Sequence, residues 1–543
     1  MARGLHTMFG IMMGRPDRPQ RGACAPSPCN RARFRPKKDP LPMWKRTLAT
    51  LVLSTGLATG LAASVEAQTL RFGLMEDPDA LDPTLARTFS GRMVFAALCD
   101  KLVDIDAKLN IIPQLATEWS WSPDQKTLTM KIRDGVLFQD GEKLDAEAVK
   151  FNLERHLKMQ GSQRRGEIAA IDSVEVVDPL TVKINLKTPF APLLAQFTDR
   201  AGMMVSPKAA QALGDKFASA PVCAGPFKFV ERVAQDRIVV EKFDNYWNKD
   251  NIFLKRIEFK VIPDTTVRLT NLRSGQLDLL ERLAPTDLPQ VQSDSKLKIG
   301  MAYELGYQTL LLNLSKDGPL AKNAKVREAL ELSIDRDAIN QVVFNGEFLP
   351  GNQWVNPKNP NYVSAFPIPK RDVAKAKALL KEAGVTTPLV VNFTVFSDNL
   401  SQQSAQVIQA MAKEAGFDLK IQATDFGTAL NLADQGNYDL MLYNWSGRPD
   451  PDGNTYNFLA TKAPLNYPRY SNEKADAAFQ AERQNNDPEV RKAAWKDLAT
   501  QVLADRPLIY LYHRKLLWAY STKLTGFGDY PDGLVRFTGL KLN

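Results

Sequence analysis

Apolar and polar positions between residues 371 and 444 switch repeatedly between a helical period and short apolar runs. The segments DVAKAKALLKEAG and SQQSAQVIQAMAKEAG are typical of helices that end in Glu-Ala-Gly, with Gly384 and Gly416 just beyond the last turn. The runs LVVNFTV, FDLKIQA and YDLMLYN are short and apolar enough to be strands buried on both faces. This alternation predicts a parallel sheet covered by helices, in which ligands bind beyond the carboxyl ends of the strands.

Strands of alternating polarity mark the chain on either side of this region. The run KTLTMKI alternates, and DSVEVVDPLTVKINL reads as a hairpin that turns at Asp178 and Pro179. Between them, DAEAVKFNLERHL predicts a helix with Asp145 as its N-cap. The run from Arg506 to Ser521 is again strand-like and similar in texture to the first half. We therefore expect a chain that enters one lobe, crosses to a second and returns.

The length and the charge distribution limit the class of protein. A chain of 543 residues is too long for one core and predicts two or three domains. Its net charge of +9 lies almost entirely at the start, because residues 1–67 hold 11 Lys and Arg but only 3 Asp and Glu. The remainder has 59 basic and 58 acidic residues, which argues against a nucleic-acid partner.

The first 67 residues are typical of an export leader. A short cationic segment, Met43 to Arg46, precedes an apolar stretch over 47–63, and the small residues of Val65 to Ala67 follow. We expect cleavage near Ala67 and an exported mature chain; a buried N-terminal helix is the alternative. Residues 1–42, rich in Arg and Pro, are expected to be disordered or to precede the true start at Met43.

Two cysteines follow the leader, Cys99 and Cys223. An even number in an exported chain favours a disulfide between them, and two separate buried thiols are the alternative.

Catalytic motifs are not evident after the leader. The sequence contains no G-x-S-x-G, Walker A, H-E-x-x-H or C-x-x-C motif. His156 lies in a charged helix and is expected at the surface, and His513 ends an apolar strand, where a hydrogen-bonded structural role is expected. No metal or other cofactor is expected. A secreted hydrolase with an unrecognised carboxylate pair stays open as the alternative function.

Trp445 is the leading candidate for ligand contact. It ends an apolar strand, and its neighbours Asn444, Ser446, Gly447 and Arg448 are polar or small. An indole in such surroundings suits stacking on a ligand that has a polar end.

Four segments in this order resemble the solute-binding proteins of ATP-binding-cassette importers, which carry peptides, nickel complexes, opines or glycosides. They are the stretch from Leu115 to Arg155, VREALELSIDRDAI, CAGPFKF and YNWSGRPDPDGNTYNF. The resemblance covers nearly all of the mature chain. It implies an α/β, two-lobe fold of the type II, cluster C class of periplasmic binding proteins, with an extra α+β domain inserted in the first lobe.

The resemblance also implies domain limits and a function. Lobe I would comprise 68–110, 221–305 and 506–543, the inserted domain 111–220, and lobe II 306–505. The protein would be periplasmic and monomeric, would bind a peptide, an opine-like compound or another small anionic solute without catalysis, and would deliver it to an ABC permease and ATPase complex at the inner membrane.

The chain departs from the family at one position of the site. Peptide-binding members hold the amino terminus of the ligand with the Asp of Trp-x-x-Asp, where this chain has Arg448. Asp450 could take that role; Arg448 could instead bind a carboxylate or phosphate; or Arg448 could pair with Asp450 or Asp452 and brace the loop.

Two further residues are candidates for the cleft, Phe89 and Tyr307. Both fit the core equally well.

Overall fold

The computed structural model describes residues 68–543. The predicted leader and its cleavage near Ala67 lie outside the described residues. Within residues 68–543, none of the helices is both long and apolar enough to cross a membrane.

The strands of the described residues, in chain order, are β1 (Thr69–Leu74), β2 (Val103–Ile105), β3 (Ile111–Pro113), β4 (Ala116–Trp121), β5 (Thr127–Ile132), β6 (Ile171–Asp178), β7 (Thr181–Leu186), β8 (Phe227–Val233), β9 (Arg237–Lys242), β10 (Arg256–Val261), β11 (Leu279–Leu280), β12 (Leu297–Tyr303), β13 (Tyr307–Leu312), β14 (Leu349–Pro350), β15 (Leu389–Phe396), β16 (Phe417–Thr424), β17 (Leu440–Trp445), β18 (Leu508–His513), β19 (Lys515–Ser521), β20 (Leu524–Thr525) and β21 (Lys541–Leu542).

The α-helices follow in the same order: α1 (Phe89–Leu98), α2 (Ala146–Lys158), α3 (Leu193–Gln196), α4 (Pro207–Leu213), α5 (Thr265–Arg273), α6 (Leu288–Gln292), α7 (Pro319–Lys322), α8 (Ala324–Leu332), α9 (Arg336–Phe344), α10 (Val373–Glu382), α11 (Asn399–Ala415), α12 (Phe426–Gln435), α13 (Asp452–Leu459), α14 (Glu473–Arg483) and α15 (Pro488–Asp505).

A seven-stranded sheet with the order β12-β19-β11-β1-β10-β9-β8 forms the part of the chain that we call lobe I. Its central strand β1 is parallel to β10 on one side and to β11 on the other. The first strand thus lies in the middle of the sheet, and the segment that follows Leu74 emerges at a carboxyl edge.

A six-stranded sheet with the order β14-β18-β13-β17-β15-β16 forms lobe II. Strand β15 is parallel to both β16 and β17, as the alternation of helices and strands predicts. Strands β13 and β18 run antiparallel at the centre, and all their residues are buried because apolar clusters cover both faces. Helix α11 covers one face through Ile408, Met411, Ala412 and Ala415, and ends at Gly416 with φ of +104°.

A four-stranded antiparallel sheet, β4-β5-β7-β6, has its own apolar core and forms the inserted domain. Its β6–β7 hairpin turns where the sequence predicts, since Asp178 pairs with Thr181 across the turn.

The chain passes between the two large sheets twice in the part closest to the cleft, at Glu304 to Gly306 and at Arg514. The backbone amide of Glu304 donates to the carbonyl of Arg514 (3.0 Å), and Nδ1 of His513 donates to the carbonyl of Gly306 (2.7 Å). The two crossing segments are therefore hydrogen-bonded to each other.

The position of the second crossing corrects one predicted boundary. Lobe I was expected to include 506–543, but β18 pairs with β13 in lobe II, and only β19 lies in the seven-stranded sheet. The run from Arg506 to Ser521 contains two strands that belong to different sheets. We propose 68–110, 221–305 and 514–543 for lobe I, 111–220 for the inserted domain and 306–513 for lobe II.

Two side chains from the sequence analysis have definite positions in this fold. Cys99 and Cys223 are joined by a disulfide, with Cα atoms 4.9 Å apart. His156 was expected at the surface, which is wrong: it is 1% exposed, with Nδ1 2.9 Å from the hydroxyl of Thr84. Helix α2 turns this histidine inward because it falls on the same face as Val149 and Leu153, which are also buried.

Candidate functional site

A chamber of about 560 Å³ lies between the two large sheets, and we call it the large chamber. Both lobes contribute to its wall, together with the second crossing segment. The wall includes Met75, Glu76, Asp77, Asp79, Arg232, Asp264, Arg268, Arg282, Gln308, Phe396, Ser397, Asp398, Asp425, Phe426, Asn444, Tyr512, Arg514 and Lys515.

The carboxyl ends of parallel strands build this wall. Glu76 follows β1, Asp398 follows β15, and Asp425 follows β16. Asp398 and Asp425 also cap α11 and α12, accepting hydrogen bonds from the amides of Ser401 and Thr428. The site thus lies where open α/β sheets bind ligands, and two helices begin at its wall.

Most charged groups of the large chamber are bound by protein partners. Arg232 pairs with Asp77 (2.9 Å) and Lys515 with Glu347 (2.7 Å). Among the described residues, Arg514 has no carboxylate within 4.0 Å; it donates to the side-chain oxygen of Gln308 (2.7 Å). Arg514 is therefore a cation of the wall that is held in place by an amide and can also bind a solute carboxylate.

Glu76 is a carboxyl group of this wall whose pKa is raised. Burial raises its pKa to about 7, although the positive charge of Arg282 opposes the shift. Near neutral pH the group is therefore partly protonated, and a charged solute nearby changes that balance.

A second cavity of about 40 Å³ adjoins the first, and we call it the small chamber. Glu76, Arg282, Phe426 and Asn444 line both chambers, which makes them continuous. The other wall residues used here are Arg87, Phe89, Arg164, Glu167, Arg200, Tyr443, Trp445 and Ser446.

Three of the predicted site residues line the small chamber. Trp445 packs edge-on against Phe458 (4.7 Å between ring centroids) and is 9% exposed. The hydroxyl of Ser446 accepts a hydrogen bond from Nη1 of Arg92 (3.0 Å). The ring of Phe89 lies under the guanidinium of Arg282, at 5.0 Å.

The other three do not line either chamber. Tyr307 is 1% exposed and packs in the core of lobe II, where its hydroxyl donates to the carbonyl of Asn454 (3.0 Å). Asp450 accepts two hydrogen bonds from Arg491 (2.9 and 2.7 Å). Arg448 points away from the chambers towards the inserted domain.

The bracing hypothesis expected Arg448 to pair with Asp450 or Asp452, but Arg448 pairs with neither. Its Nε lies 3.1 Å from Oδ2 of Asp199, and its guanidinium stacks on the ring of Trp445 (4.4 Å). The loop turns at Gly447, where φ is +82° and an added Cβ would lie 2.3 Å from the carbonyl carbon of Leu305. This close packing on the first crossing segment directs Arg448 across the cleft instead of along the loop.

Asn454 fixes this loop and was not predicted. Its side-chain oxygen accepts hydrogen bonds from Nε1 of Trp445 (3.0 Å) and from the amide of Arg448 (2.7 Å). The indole is therefore oriented by the protein rather than free to follow a ligand.

Arg448 belongs to a buried ion cluster that joins the lobes. The carboxylate of Asp199 lies within 4.0 Å of three guanidiniums, and Glu167 lies near two. All six side chains are at most 6% exposed: Arg92, Arg164, Arg200, Arg448, Asp199 and Glu167. Burial would raise the pKa of Asp199, but Arg448 and Arg92 hold it well below its ordinary value, while burial lowers the pKa of Arg448 to about 10.

Further contacts hold lobe II against lobe I beside the cleft. Arg87 forms an ion pair with Asp434 (2.5 Å), and the side-chain amide of Asn399 donates to Asp264 (3.0 Å). The two lobes are thus closed on each other around the chambers.

Several wall residues were missed by sequence reasoning, among them Glu76, Arg282, Gln308 and Arg514. The signal for Glu76 was present, because MEDPD follows the first strand and ligands bind beyond strand ends. Arg514 carried no such signal, since its place depends on how β18 and β19 divide between two sheets.

The described residues include no group of three or more His, Cys, Asp or Glu side chains arranged to hold a metal ion. Burial lowers the pKa of His156 to about 3 and that of His513 to about 4, so both are neutral.

Comparison with known proteins gives one family. The family model for bacterial extracellular solute-binding proteins, family 5 Middle, matches residues 110–466. Glutathione-binding protein GsiB of Pectobacterium atrosepticum is 30% identical over 471 residues, covering 84% of this chain and 91% of the relative. GsiB of Salmonella paratyphi A is 30% identical over 495 residues, covering 88% and 95%.

Solved structures are also similar. PBP AgaA from A.tumefacien R10, in complex with agropinic acid, has a TM-score of 0.80 at 27% identity, covering 88% of this chain and 99% of the other. DppA from Helicobacter pylori, in complex with the peptide STSA, has a TM-score of 0.81 at 24% identity, with the same two coverages. The second match supports the fold alone.

Proposed function

The chain belongs to the family 5 bacterial extracellular solute-binding proteins, and from this premise we propose that its solute is a small peptide-like molecule with more carboxylates than amines, of which glutathione is the reference compound. As a member of this family, it is the solute-binding component of an ABC importer, with a two-lobe, type II α/β fold.

The size of the large chamber carries the proposal. A volume of about 560 Å³ falls within the roughly 300–1,000 Å³ that small-molecule sites occupy. Its wall combines apolar rings, such as Phe396 and Tyr512, with side-chain amides at Gln308 and Asn444. Amides satisfy the backbone of a peptide when it leaves water, and rings cover its apolar parts.

The pairing of charges supports a solute with excess carboxylate. Arg514 makes no ion pair within 4.0 Å among the described residues, and the nearest carboxylate oxygen to Arg282 is that of Glu281, at 3.9 Å. Both arginines also oppose the rise that burial causes in the pKa of Glu304. Asp77, Asp398 and Asp425, by contrast, are each bound by an arginine or by helix amides. Glu76 is the carboxyl group that can bind a single amine of the solute.

The cellular setting follows the family, whose members are extracellular solute-binding proteins that work with ABC permeases. We propose a periplasmic monomer, exported by a leader that is cleaved near Ala67. The alternative of a secreted hydrolase has no support from the relatives, which are named as binding proteins.

Isothermal titration calorimetry of the mature protein tests the proposal. The panel contains glutathione, neutral dipeptides and tripeptides, and a lysine-rich tripeptide, and mass spectrometry identifies any molecule that copurifies. We expect one-to-one binding, tightest for glutathione or another acidic peptide, with the solute recovered unchanged. Preference for the lysine-rich peptide would contradict the proposed charge, and consumption of the solute would favour the hydrolase.

A further inference from the structure

Positive charge is in excess around the small chamber. Its wall carries four arginines, Arg87, Arg164, Arg200 and Arg282, but only two carboxyl groups, Glu76 and Glu167. Arg164, Arg200 and Glu167 also belong to the buried ion cluster, which adds Arg92, Arg448 and Asp199. Arg87 is paired with Asp79 and Asp434, and Arg282 lies 3.9 Å from Glu281. Arg164 and Arg200 are thus the wall arginines that share Glu167 and Asp199 with the cluster.

Four of these guanidiniums, those of Arg164, Arg200, Arg282 and Arg448, have an N–H group without a hydrogen-bond partner among the described residues. Arg200 is 1% exposed and donates from Nη1 to the carbonyl of Ala86 (2.7 Å), while its Nε makes no hydrogen bond and lies 3.6 Å from Oδ1 of Asp199. Arg164 is 3% exposed and binds Glu167 (2.6 Å), and its Nε also has no acceptor. Both residues line the small chamber. Unsatisfied buried donors are rare and destabilising, which points to a ligand that accepts from them.

The size of the small chamber restricts that ligand. One water molecule needs a cavity volume of about 10–15 Å³. The small chamber, with a volume of about 40 Å³, therefore holds a group of roughly three heavy atoms. A carboxylate has three heavy atoms. A whole peptide is far too large, and its remainder would have to lie in the continuous large chamber.

We propose that the small chamber is a carboxylate subsite, in which one carboxylate of the solute binds between Trp445 and the guanidiniums of Arg164, Arg200 and Arg282. The proposal rests on the proposed function for the identity of the solute. It places negative charge beside the tryptophan where peptide-binding relatives are expected to hold an amine, and it makes Arg200 a residue that determines specificity.

A thermodynamic cycle that combines variants of the ligand with variants of the protein tests this subsite. Glutathione is compared with two amides, one at the glycine carboxylate and one at the α-carboxylate of its glutamyl residue. With the wild-type protein, we expect at least one amide to bind roughly tenfold more weakly, because it loses charge-assisted hydrogen bonds. If both amides bind within about twofold of glutathione, the proposal is wrong.

The Arg200→Gln variant tests whether the weaker binding of the amide arises in the small chamber. Asp199 keeps Arg92 and Arg448 as partners when Arg200 is replaced, so no carboxylate is left unpaired. The variant should weaken glutathione binding about tenfold and leave the affinity for the sensitive amide within about twofold. An equal loss for acid and amide would overturn the proposal.

Arg336→Gln is the matched control. Arg336 is 3% exposed, pairs with Glu331 (2.7 Å) and lines neither chamber. It should leave the ratio of acid to amide affinity unchanged.

A small-anion titration covers the case in which no peptide binds. Acetate, compared with acetamide at equal ionic strength, should raise the melting temperature of the wild-type protein but not that of Arg200→Gln. Failure of every peptide would refute the proposed solute, whereas an indifferent response to acetate in that case would refute the subsite itself.

Discussion

The two chambers of the cleft differ in how their charged side chains are balanced. The large chamber has five cationic and six acidic wall residues, and most of them are held by ion pairs or helix amides of the protein itself. The small chamber has four arginines against two glutamates. The first wall carries slightly more acidic than cationic groups, and the second carries twice as many cationic as acidic groups.

This difference separates general binding from discrimination. Aromatic rings and side-chain amides in the large chamber accept many solutes of suitable size, because such contacts depend little on the sign of a charge. The excess of guanidiniums in the small chamber favours a negatively charged group of the solute and disfavours an amine. The comparison predicts that substitutions in the small chamber alter charge preference, and substitutions in the large chamber alter overall affinity.

Asp199→Asn should have the largest effect, since it deepens the imbalance on the small-chamber side. Arg92, Arg200 and Arg448 would lose their shared carboxylate while staying buried. Breaking a buried pair in this way costs about 3–5 kcal/mol of unfolding free energy. Urea denaturation measures the loss.

Glu118→Gln serves as its control. Glu118 pairs with Lys131 at 3.7 Å, and both side chains are mostly exposed, so its loss should cost less than about 1 kcal/mol. Equal effects of the two variants would show that the cluster is not a buried network.

Arg514→Gln tests the large chamber and should have the next largest effect. Removing a guanidinium that binds a solute carboxylate should weaken glutathione binding by about 1.5–3 kcal/mol. Calorimetry measures the change.

Lys515→Gln is the neighbouring control on the same wall. Its ammonium is bound to Glu347, so the affinity should stay within about twofold. A greater loss for Lys515→Gln than for Arg514→Gln would reverse the assignment of the solute-binding cation.

Glu76 gives the effect that is most specific to pH, and it lines both chambers. Its pKa is raised from 4.5 to about 7 in the folded protein, so the folded state holds a proton that the unfolded state releases. The stability contributed by this proton is complete below about pH 4.5 and is lost as the pH rises through about 7. We expect the wild-type protein to lose stability over this window relative to Glu76→Gln. Parallel melting curves of the two proteins across the window would contradict the assignment.

Much of the fold could be predicted because local pattern and global structure agree. Strands β15, β16 and β17 alternate with capped helices, so their parallel arrangement follows from sequence. The expected burial on both faces is wrong for β16, because it lies at the edge of the sheet and exposes Lys420 and Gln422. The run from 506 to 521 could not be divided correctly. Its two strands, β18 and β19, have the same apolar composition. Only the pairing of β18 with β13 and of β19 with β12, which are distant in sequence, assigns them to different sheets.

The site was less predictable than the fold for a related reason. Trp445, Ser446 and Phe89 line the small chamber, as expected from a polar turn after a strand and a ring near the first helix. The role of Arg448 depends on Asp199, which lies 249 positions away in the inserted domain. No spacing rule reports a contact between domains, and the same limit applies to Arg200.

The buried ion cluster has a consequence for the release of cargo. Arg448 comes from lobe II and Asp199 from the inserted domain, so separating the lobes returns the cluster to solvent in a single movement. Opening of the cleft for release of the solute therefore requires that the ion pair between Arg448 and Asp199 break, while Arg92 and Arg200 stay beside Asp199.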